Sequence, residues 1–136
     1  MKSIFHLAFN VSNLDSASQF YAKVLGCKQG RRTETWVDFD FFGHQLSLHL
    51  GEPFHVKSTG LVDNIAVPMP HFGAALDYED WSKVAEKLTA LKIDFIIKPC
   101  VRFAGEAGEQ HTLFFLDPFG NPIELKGFAN FDKVFT

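Results

Sequence analysis

Three side chains with metal-binding chemistry lie at related places in the sequence. His6 begins the strand-like run HLAFNV, His71 begins the run HFGAAL, and Glu124 lies inside the run NPIELKG. A carboxylate inside such a strand needs a counter-charge or a metal, because burying an unpaired charge is costly. Two imidazoles and one carboxylate with open coordination positions are the ligand set of non-haem Fe(II) oxygenases, and they are also a permitted catalytic zinc set. The sequence therefore predicts one metal site made of His6, His71 and Glu124.

Strand alternation indicates that both histidines face open space. On the first run His6 shares a face with Ala8, and on the second run His71 shares a face with Gly73 and Ala75. The larger apolar residues of the first run alternate onto the opposite face, where they can pack on a helix. Small neighbours on the histidine side leave room, so we expect the histidines to line a cup.

An internal duplication accounts for the matched histidines. Aligning the chain on itself at an offset of 65 pairs His6 with His71, and a second alignment at an offset of 77 pairs Gly43 with Gly120. The two glycines occupy tight turns between antiparallel strands. The change of offset places about twelve extra residues in the second copy, within residues 98–110.

Each copy predicts a strand, a helix and three further strands. The first module covers about residues 3–50, the second covers about 71–128, and residues 51–70 form a linker. Asp77 is the predicted N-cap of the second helix. The expected fold class is α+β, with two βαβββ modules that form a cupped mixed sheet around one metal site in a single domain.

Composition excludes several classes of protein. The 136 residues are 46% hydrophobic and 21% charged, which is typical of one compact soluble domain. The net charge of −3 and dispersed cations indicate no nucleic-acid partner. No apolar run is long enough for a signal-peptide core or a membrane span. Cys27 and Cys100 have neither metal-motif nor disulfide-scaffold spacing, so we expect reduced thiols in a cytoplasmic protein.

The chain resembles the vicinal oxygen chelate superfamily, which includes glyoxalase I, fosfomycin and bleomycin resistance proteins and extradiol dioxygenases. The resemblance covers nearly the whole chain and lies in HLAFNVSNLDSASQFYAKVLGC, HFGAALDYEDWSKVAEKL and LFFLDPFGNPIELKGF. It implies a glyoxalase/dioxygenase-like fold with metal ligands on the first strand of each module and on the last strand of a module. Mapped onto this sequence, that pattern again gives His6, His71 and Glu124.

One departure from the family pattern bears on the reaction. Glyoxalase-like members carry a fourth protein ligand, often glutamate, at the place that aligns with Ser47, and a serine hydroxyl is a poor ligand. Three protein ligands resemble the extradiol dioxygenases more than the glyoxalases. The segment TWVDFDFFGHQLSLHL is also similar to small single-domain proteins predicted to be extradiol-dioxygenase-like. The resemblance therefore implies Fe(II)-dependent oxidative cleavage of a small catecholic or related aromatic substrate, with dioxygen as the second substrate.

Five further residues are candidates for roles around the metal. The acid–base candidates are His49, ranked first because strand alternation places it on the cup side, and His111. Arg102 is a candidate anchor for a substrate carboxylate, although a solvated loop arginine is the commoner situation. Phe41 and Phe103 are candidates for stacking on an aromatic substrate, although most such residues are core.

Two alternatives to the dioxygenase stay open. One is glyoxalase-like isomerase or lyase chemistry on Mn, Zn, Ni or Co. The other is a non-catalytic protein that sequesters a small aromatic ligand, as bleomycin resistance proteins do without metal. Family resemblance and exposed strand edges favour a homodimer, in which the modules pair within one chain or between two.

Overall fold

The computed structural model describes all 136 residues and divides them into two compact units. Unit 1 comprises Met1–His55 and Pro118–Asn121, and unit 2 comprises Val56–Asp117 and Pro122–Thr136. The chain contains two four-stranded sheets and one additional two-stranded sheet. The predicted α+β architecture with two βαβββ modules is confirmed. No helix is both long enough and apolar enough to cross a membrane.

The first sheet is mixed, with strand order β1-β4-β3-β2. Strands β1 and β4 are parallel and the other neighbours are antiparallel. The elements along the chain are β1 (His6–Val11), helix α1 (Leu14–Ser18), a π-helical segment (Gln19–Val24), β2 (Lys28–Arg32), β3 (Trp36–Phe41) and β4 (His44–Leu50).

Local chemistry sets the bounds of the first helical region. The Asn13 side chain accepts a hydrogen bond from the backbone N–H of Ser16 at 2.9 Å, which caps the helix. Beyond Ser18 the backbone changes to the wider π-helical pattern, in which Leu25 N–H donates to the Phe20 carbonyl at 3.0 Å. Gly26 then ends the helical region at a φ of +75°, a conformation that glycine adopts without strain.

The second sheet has the same plan, with order β7-β10-β9-β8 and a parallel β7–β10 pair. Asp77 caps the main helix, as predicted, by accepting from the Asp80 backbone N–H at 3.0 Å. The elements of this unit are β5 (Lys57–Val62), β6 (Ile65–Met69), β7 (Phe72–Asp77), helix α2 (Tyr78–Ala90), β8 (Phe95–Arg102), β9 (Gln110–Leu116), β10 (Pro122–Phe128) and a 3-10 turn (Phe131–Lys133).

The segment predicted as a plain linker contains a β-hairpin. Strands β5 and β6 pair through a two-residue turn in which Asp63 and Asn64 have φ values of 46° and 64°. Two left-handed residues form the hairpin turn that matches strand twist, and Asp and Asn tolerate that region better than most residues. Val67 on β6 is buried against Ile97 and Phe114, so the hairpin packs on the second sheet.

Alternation along the strands separates two faces of each sheet. On β3, Val37, Phe39 and Phe41 are buried, while Trp36, Asp38 and Asp40 lie on the other face and are more exposed. We call the face that carries Asp38 the open face of the first sheet. The strand register places His6, Ala8, Gln45, Ser47 and His49 on that same open face.

Candidate metal centre

His71 and Glu124 lie in direct contact within unit 2. The His71 Nε2 is 3.3 Å from the Glu124 Oε2, and the two side chains are 24% and 12% exposed. Strand pairing explains the contact, because Glu124 on β10 lies opposite Gly73 on β7, two residues after His71. A Cβ at residue 73 would overlap the backbone carbonyl of Glu124, so only glycine permits this close approach of the two strands.

The hydrogen bond between His71 and Pro68 leaves Nε2 as the ring nitrogen that faces Glu124. The His71 Nδ1 lies 2.9 Å from the Pro68 carbonyl oxygen, and a carbonyl can only accept, so Nδ1 carries the hydrogen. Nε2 then faces the carboxylate oxygen, where it can act as a proton donor or as a metal ligand. Two donor atoms each about 2.0–2.2 Å from one cation would have a separation of this size. The His71–Glu124 pair therefore fits a divalent metal.

Two buried side chains hold the pair in place. The Thr112 hydroxyl donates to the Glu124 Oε1 at 2.9 Å, and Thr112 is fully buried. The Phe114 ring packs edge-on against the His71 imidazole with 4.8 Å between ring centroids. Outer contacts of this kind fix the orientation of ligand side chains and strengthen metal binding.

The His71–Glu124 pair lies on the wall of a pocket in unit 2. The pocket has a volume of about 250 Å³ and borders the start of β7 and the middle of β10. Its lining residues are His71, Phe72, Gly73, Ala74, Ala75, Glu124 and Lys126. The small side chains of β7 leave the space beside the two predicted ligands, as the sequence pattern indicated.

His6 belongs to unit 1, where it occupies the place in the first sheet that His71 occupies in the second. In the first sheet Ala8 pairs with Ser47, and in the second sheet Gly73 pairs with Glu124. His6 lies two residues before Ala8, and His71 lies two residues before Gly73. His6 is exposed on the open face of the first sheet. Neither unit by itself gathers three His, Cys, Asp or Glu side chains around one point. Participation of His6 in the metal site stays a prediction.

Ser47 is engaged with a carboxylate. Its hydroxyl donates to the Asp38 Oδ1 at 2.5 Å, and Ser47 is only 6% exposed. In the second module the carboxylate of Glu124 is on the last strand, β10, and the hydroxyl of Thr112 is on its neighbour β9. In the first module the hydroxyl is on the last strand, β4, and the carboxylate of Asp38 is on its neighbour β3. A hydroxyl bonded in this way orients Asp38 and is poorly placed to bind a metal itself.

The two acid–base candidates lie in different surroundings. His49 is exposed on the open face of the first sheet, 6.4 Å from the Trp36 ring, so its predicted face agrees with the register. His111 lies between Tyr78 and Trp81 of α2, with ring centroids 4.5 and 5.1 Å away. It shares the helix-facing side of the second sheet, opposite to Glu124, because the register alternates between them. We therefore leave His111 out of the proposed chemistry.

The predicted substrate-binding residues are all otherwise occupied. Arg102 donates from Nε to Asp63 at 3.1 Å, so its guanidinium already has a carboxylate partner in the hairpin turn. Phe103 lies under that guanidinium, with 4.7 Å between the Arg102 Cζ and the ring centroid. Phe41 is a correction: it is 4% exposed on the helix-facing side of the first sheet, where it cannot reach the open face.

Several residues around the site were not identified from sequence. Thr112 and Phe114 contact the His71–Glu124 pair across strands, and such contacts depend on register, which a single sequence does not determine. Pro68 contacts His71 locally, three residues earlier in the chain. Asp38 and Lys126 could have been found, because both alternate with apolar residues on strands that carry predicted site residues.

Comparison with known proteins agrees with the fold and the motifs. The Glyoxalase/Bleomycin resistance protein/Dioxygenase superfamily model matches residues 3–125. The chain belongs to this superfamily. The crystal structure of a glyoxalase/bleomycin resistance protein/dioxygenase from Alicyclobacillus acidocaldarius is 30% identical, with a TM-score of 0.78, and the match covers 98% of this chain and 96% of that one. The expected resemblance to the superfamily is thus confirmed.

Curated relatives within the superfamily carry a different activity from the one that we expected. Metallothiol transferase FosB from Bacillus licheniformis is 28% identical over 129 residues, covering 95% of this chain and 77% of the relative. Metallothiol transferase FosB from Lysinibacillus sphaericus is 26% identical over 125 residues, covering 92% and 82%. These relatives are named as metallothiol transferases, and their names give no support to dioxygenase chemistry in particular.

Proposed function

We propose that this superfamily member is a metal-dependent enzyme that acts on a small molecule, with a divalent metal held by His6, His71 and Glu124. The observation that carries the proposal is the His71–Glu124 pair, in which Nε2 and Oε2 lie 3.3 Å apart while Nδ1 faces the Pro68 carbonyl. His6 joins the set because it occupies the equivalent place in the first module.

Three protein groups orient the side chains that would hold the metal. The Pro68 carbonyl selects the His71 tautomer that presents Nε2, and the Thr112 hydroxyl leaves one Glu124 oxygen free. The Phe114 ring excludes water from one side of the imidazole. A bound divalent metal supplies Lewis acidity that polarises a substrate oxygen.

Thiol transfer to a small electrophile is the first proposed reaction, supported by the two metallothiol transferases that match more than nine-tenths of the chain. In such a reaction a thiolate sulfur forms a bond to an electrophilic atom, the bond from that atom to its leaving group breaks, and the leaving group takes up a proton. His49 is the proposed proton donor and acceptor, because it shares the open face of the first sheet with His6.

Fe(II)-dependent oxidative cleavage of a catecholic or related aromatic substrate is the second candidate. It is supported by the two-histidine, one-carboxylate set and by Ser47, whose hydroxyl is bonded to Asp38 where glyoxalase-like proteins supply a fourth ligand. Dioxygen would be the second substrate. The two candidate reactions give different products, so product analysis separates them.

The test combines metal analysis with product analysis on one anaerobic preparation. Protein loaded separately with Mn, Fe(II), Zn, Ni or Co is incubated with thiols and small epoxides, with a hemithioacetal, and with a catechol panel under oxygen. A thiol adduct by mass spectrometry supports transferase chemistry, oxygen uptake supports the dioxygenase, and isomerisation supports a glyoxalase-like enzyme. Failure to bind any of the five metals would overturn the metal-dependent proposal and leave a metal-free binding protein.

Two properties of the whole protein are part of the proposal. We propose a homodimer, because β1 and β7 are edge strands of their sheets and could pair with further strands. We also propose a cytoplasmic protein, since Cys27 and Cys100 are both free thiols.

A further inference from the structure

Lys126 lines the same pocket as the His71–Glu124 pair and has no ion-pair partner. It follows Glu124 by two residues on β10, so both side chains project from the same face of the strand. Lys126 lines the same 250 Å³ pocket and is half-buried. The ion pairs Arg32–Asp15, His71–Glu124 and Arg102–Asp63 do not include Lys126.

The neighbours of Lys126 leave its ammonium accessible from the pocket. Its partner across the parallel pair is Ala75, and its partner across the antiparallel pair is Thr112, whose hydroxyl is already donated to Glu124. Neither neighbour can neutralise the lysine. A half-buried cation without a carboxylate partner favours an anionic ligand. Such a ligand forms a charge-assisted hydrogen bond that offsets the hydration lost on partial burial.

Strand geometry fixes how far this cation lies from the predicted metal ligands. Residues two apart on a strand have Cα atoms about 6.6–6.8 Å from each other. A small molecule could therefore place one oxygen at the His71–Glu124 pair and an acidic group, two or three bonds further along, at Lys126. A volume of 250 Å³ is smaller than the pockets of about 300–1,000 Å³ that hold drug-sized ligands, so the molecule must be small.

We propose that Lys126 determines specificity by binding the anionic group of a small acidic substrate, a carboxylate, phosphonate or phosphate, while another oxygen of the same molecule binds the metal. The proposal rests on the proposed metal-dependent function and names the substrate class for it. It also replaces the predicted anchor Arg102, whose guanidinium is held by Asp63.

The test compares chelators that differ in one group. Full-length protein saturated with Mn²⁺ is titrated with acetohydroxamate, which binds a metal through two adjacent oxygens and is otherwise neutral. It is then titrated with phosphoglycolohydroxamate and with succinate monohydroxamate, which carry the same chelating group together with a phosphate or a carboxylate. Dissociation constants come from water-proton relaxation of the bound Mn²⁺, a readout that does not depend on activity.

We expect at least one anionic chelator to bind about tenfold more tightly than acetohydroxamate, the effect of one charge-assisted contact. Lys126→Gln should remove this preference without changing the affinity for acetohydroxamate, and Lys126→Arg should retain part of it. Lys83→Gln, which removes the same charge from an exposed position of α2, is the matched control and should behave as wild type. Whichever anionic chelator shows the preference identifies the acidic group.

Two results would overturn the inference, and they differ in what they say about function. Equal binding of all three chelators, or a preference that survives in Lys126→Gln, would remove Lys126 from substrate recognition and leave the metal site standing. Failure of Mn²⁺ or of every hydroxamate to bind would contradict the proposed metal chemistry at this site, and the inference would fail with it.

Discussion

At the scale of single residues, the His71–Glu124 pair is oriented by contacts with three other groups of the protein. The Pro68 carbonyl and the Phe114 ring set the imidazole, and the Thr112 hydroxyl sets the carboxylate. Ligands that are already held in position lose little side-chain freedom when the metal binds. Affinity at this site should therefore depend on the supporting residues as well as on the ligands.

Replacing Glu124 by Gln should abolish metal retention. The amide keeps the shape of the side chain but removes the negative charge that a divalent cation requires. Metal content per chain after desalting, measured by plasma mass spectrometry, should fall to background, while circular dichroism stays unchanged. Glu106→Gln changes an exposed loop carboxylate and is the control. Full metal content in Glu124→Gln would exclude Glu124 as a ligand.

Replacing Thr112 by Val should weaken metal binding while the ligands stay intact. The substitution preserves the shape of a fully buried residue and removes only the hydroxyl that donates to Glu124. Loss of such an outer contact typically lowers metal affinity about 10–100-fold. Competition with a chelating dye measures the change. Wild-type affinity would mean that the Thr112–Glu124 hydrogen bond plays no part in holding the metal.

The buried thiol of Cys27 should make the fold less stable in alkali. Burial, with a smaller effect from the Asp40 charge, raises the pKa of Cys27 from 9.0 to about 12. Above pH 9 the unfolded chain loses this proton while the folded chain keeps it. The contribution of the protonated thiol to stability is therefore fully present below pH 9 and is lost between pH 9 and 12. At pH 10.5 the loss is about 2 kcal/mol.

Urea unfolding of wild type and Cys27→Ala at pH 8 and pH 10.5 isolates this loss. The free energy of unfolding of wild type should fall by about 2 kcal/mol more than that of the variant. Cys100→Ala is the comparison: Cys100 is exposed, and partial burial also raises the pKa of its thiol but by less than that of Cys27, so this variant should differ less from wild type. Equal falls in wild type and Cys27→Ala would show that the Cys27 thiol ionises as readily in the folded chain as in the unfolded one.

At the scale of secondary-structure elements, the β5–β6 hairpin is held on the second sheet by a small apolar cluster and one ion pair. Val67 packs on Ile97 and Phe114, and Asp63 at the turn accepts from Arg102. Phe114 also packs on His71, so the hairpin and the His71–Glu124 pair share a supporting residue. We therefore expect that loosening the hairpin also weakens binding at the proposed metal site.

Replacing Asp63 by Asn should loosen the hairpin without unfolding the protein. Asn tolerates the left-handed backbone at this position, so the variant removes the charge and keeps the turn. An ion pair with one exposed partner contributes about 0–1 kcal/mol, and global stability should change by no more than that. Amide hydrogen exchange should accelerate in residues 57–69 and stay unchanged in α2. Unchanged exchange in the hairpin would contradict the role of the ion pair.

The sequence predicted the elements that repeat and missed the one that does not. His71 and Glu124 were identified because a duplicated strand and a family motif both carry them. The hairpin lies between the copies, so no repeat indicated it, although Asp63-Asn64 between apolar runs is a hairpin pattern. His111 and Phe41 were named as site candidates although both lie on the helix-facing sides of their sheets, because alternation shows which residues share a face and not which face meets the helix.

At the scale of the whole molecule, the proposed ligand set draws on both units, with His6 in unit 1 and His71 and Glu124 in unit 2. Exposed apolar residues precede the edge strand β1: Ile4 and Phe5 are 68% and 65% exposed. Apolar exposure next to an open strand edge is a feature of surfaces that pair with another chain. It supports the proposed homodimer.

Sedimentation velocity tests that assembly. Wild type should have about twice the chain mass of 15.3 kDa, and Phe5→Ser should shift the distribution toward a single chain. Leu61→Ser, which removes another exposed apolar residue from the hairpin, should leave the mass unchanged. A monomeric wild type would exclude the dimer, and a dimeric Phe5→Ser would place the contact elsewhere.

The close approach at Gly73 bears on which ions the site can accept. The spacing between the two donor groups of unit 2 is governed by main chain packed against main chain, because no side chain separates β7 from β10 there. Substitutions around the rim can alter which small molecules enter while leaving the two backbones at the same separation. For the proposed metal site, the strand pair would thus limit how far apart the His71 and Glu124 side chains can begin.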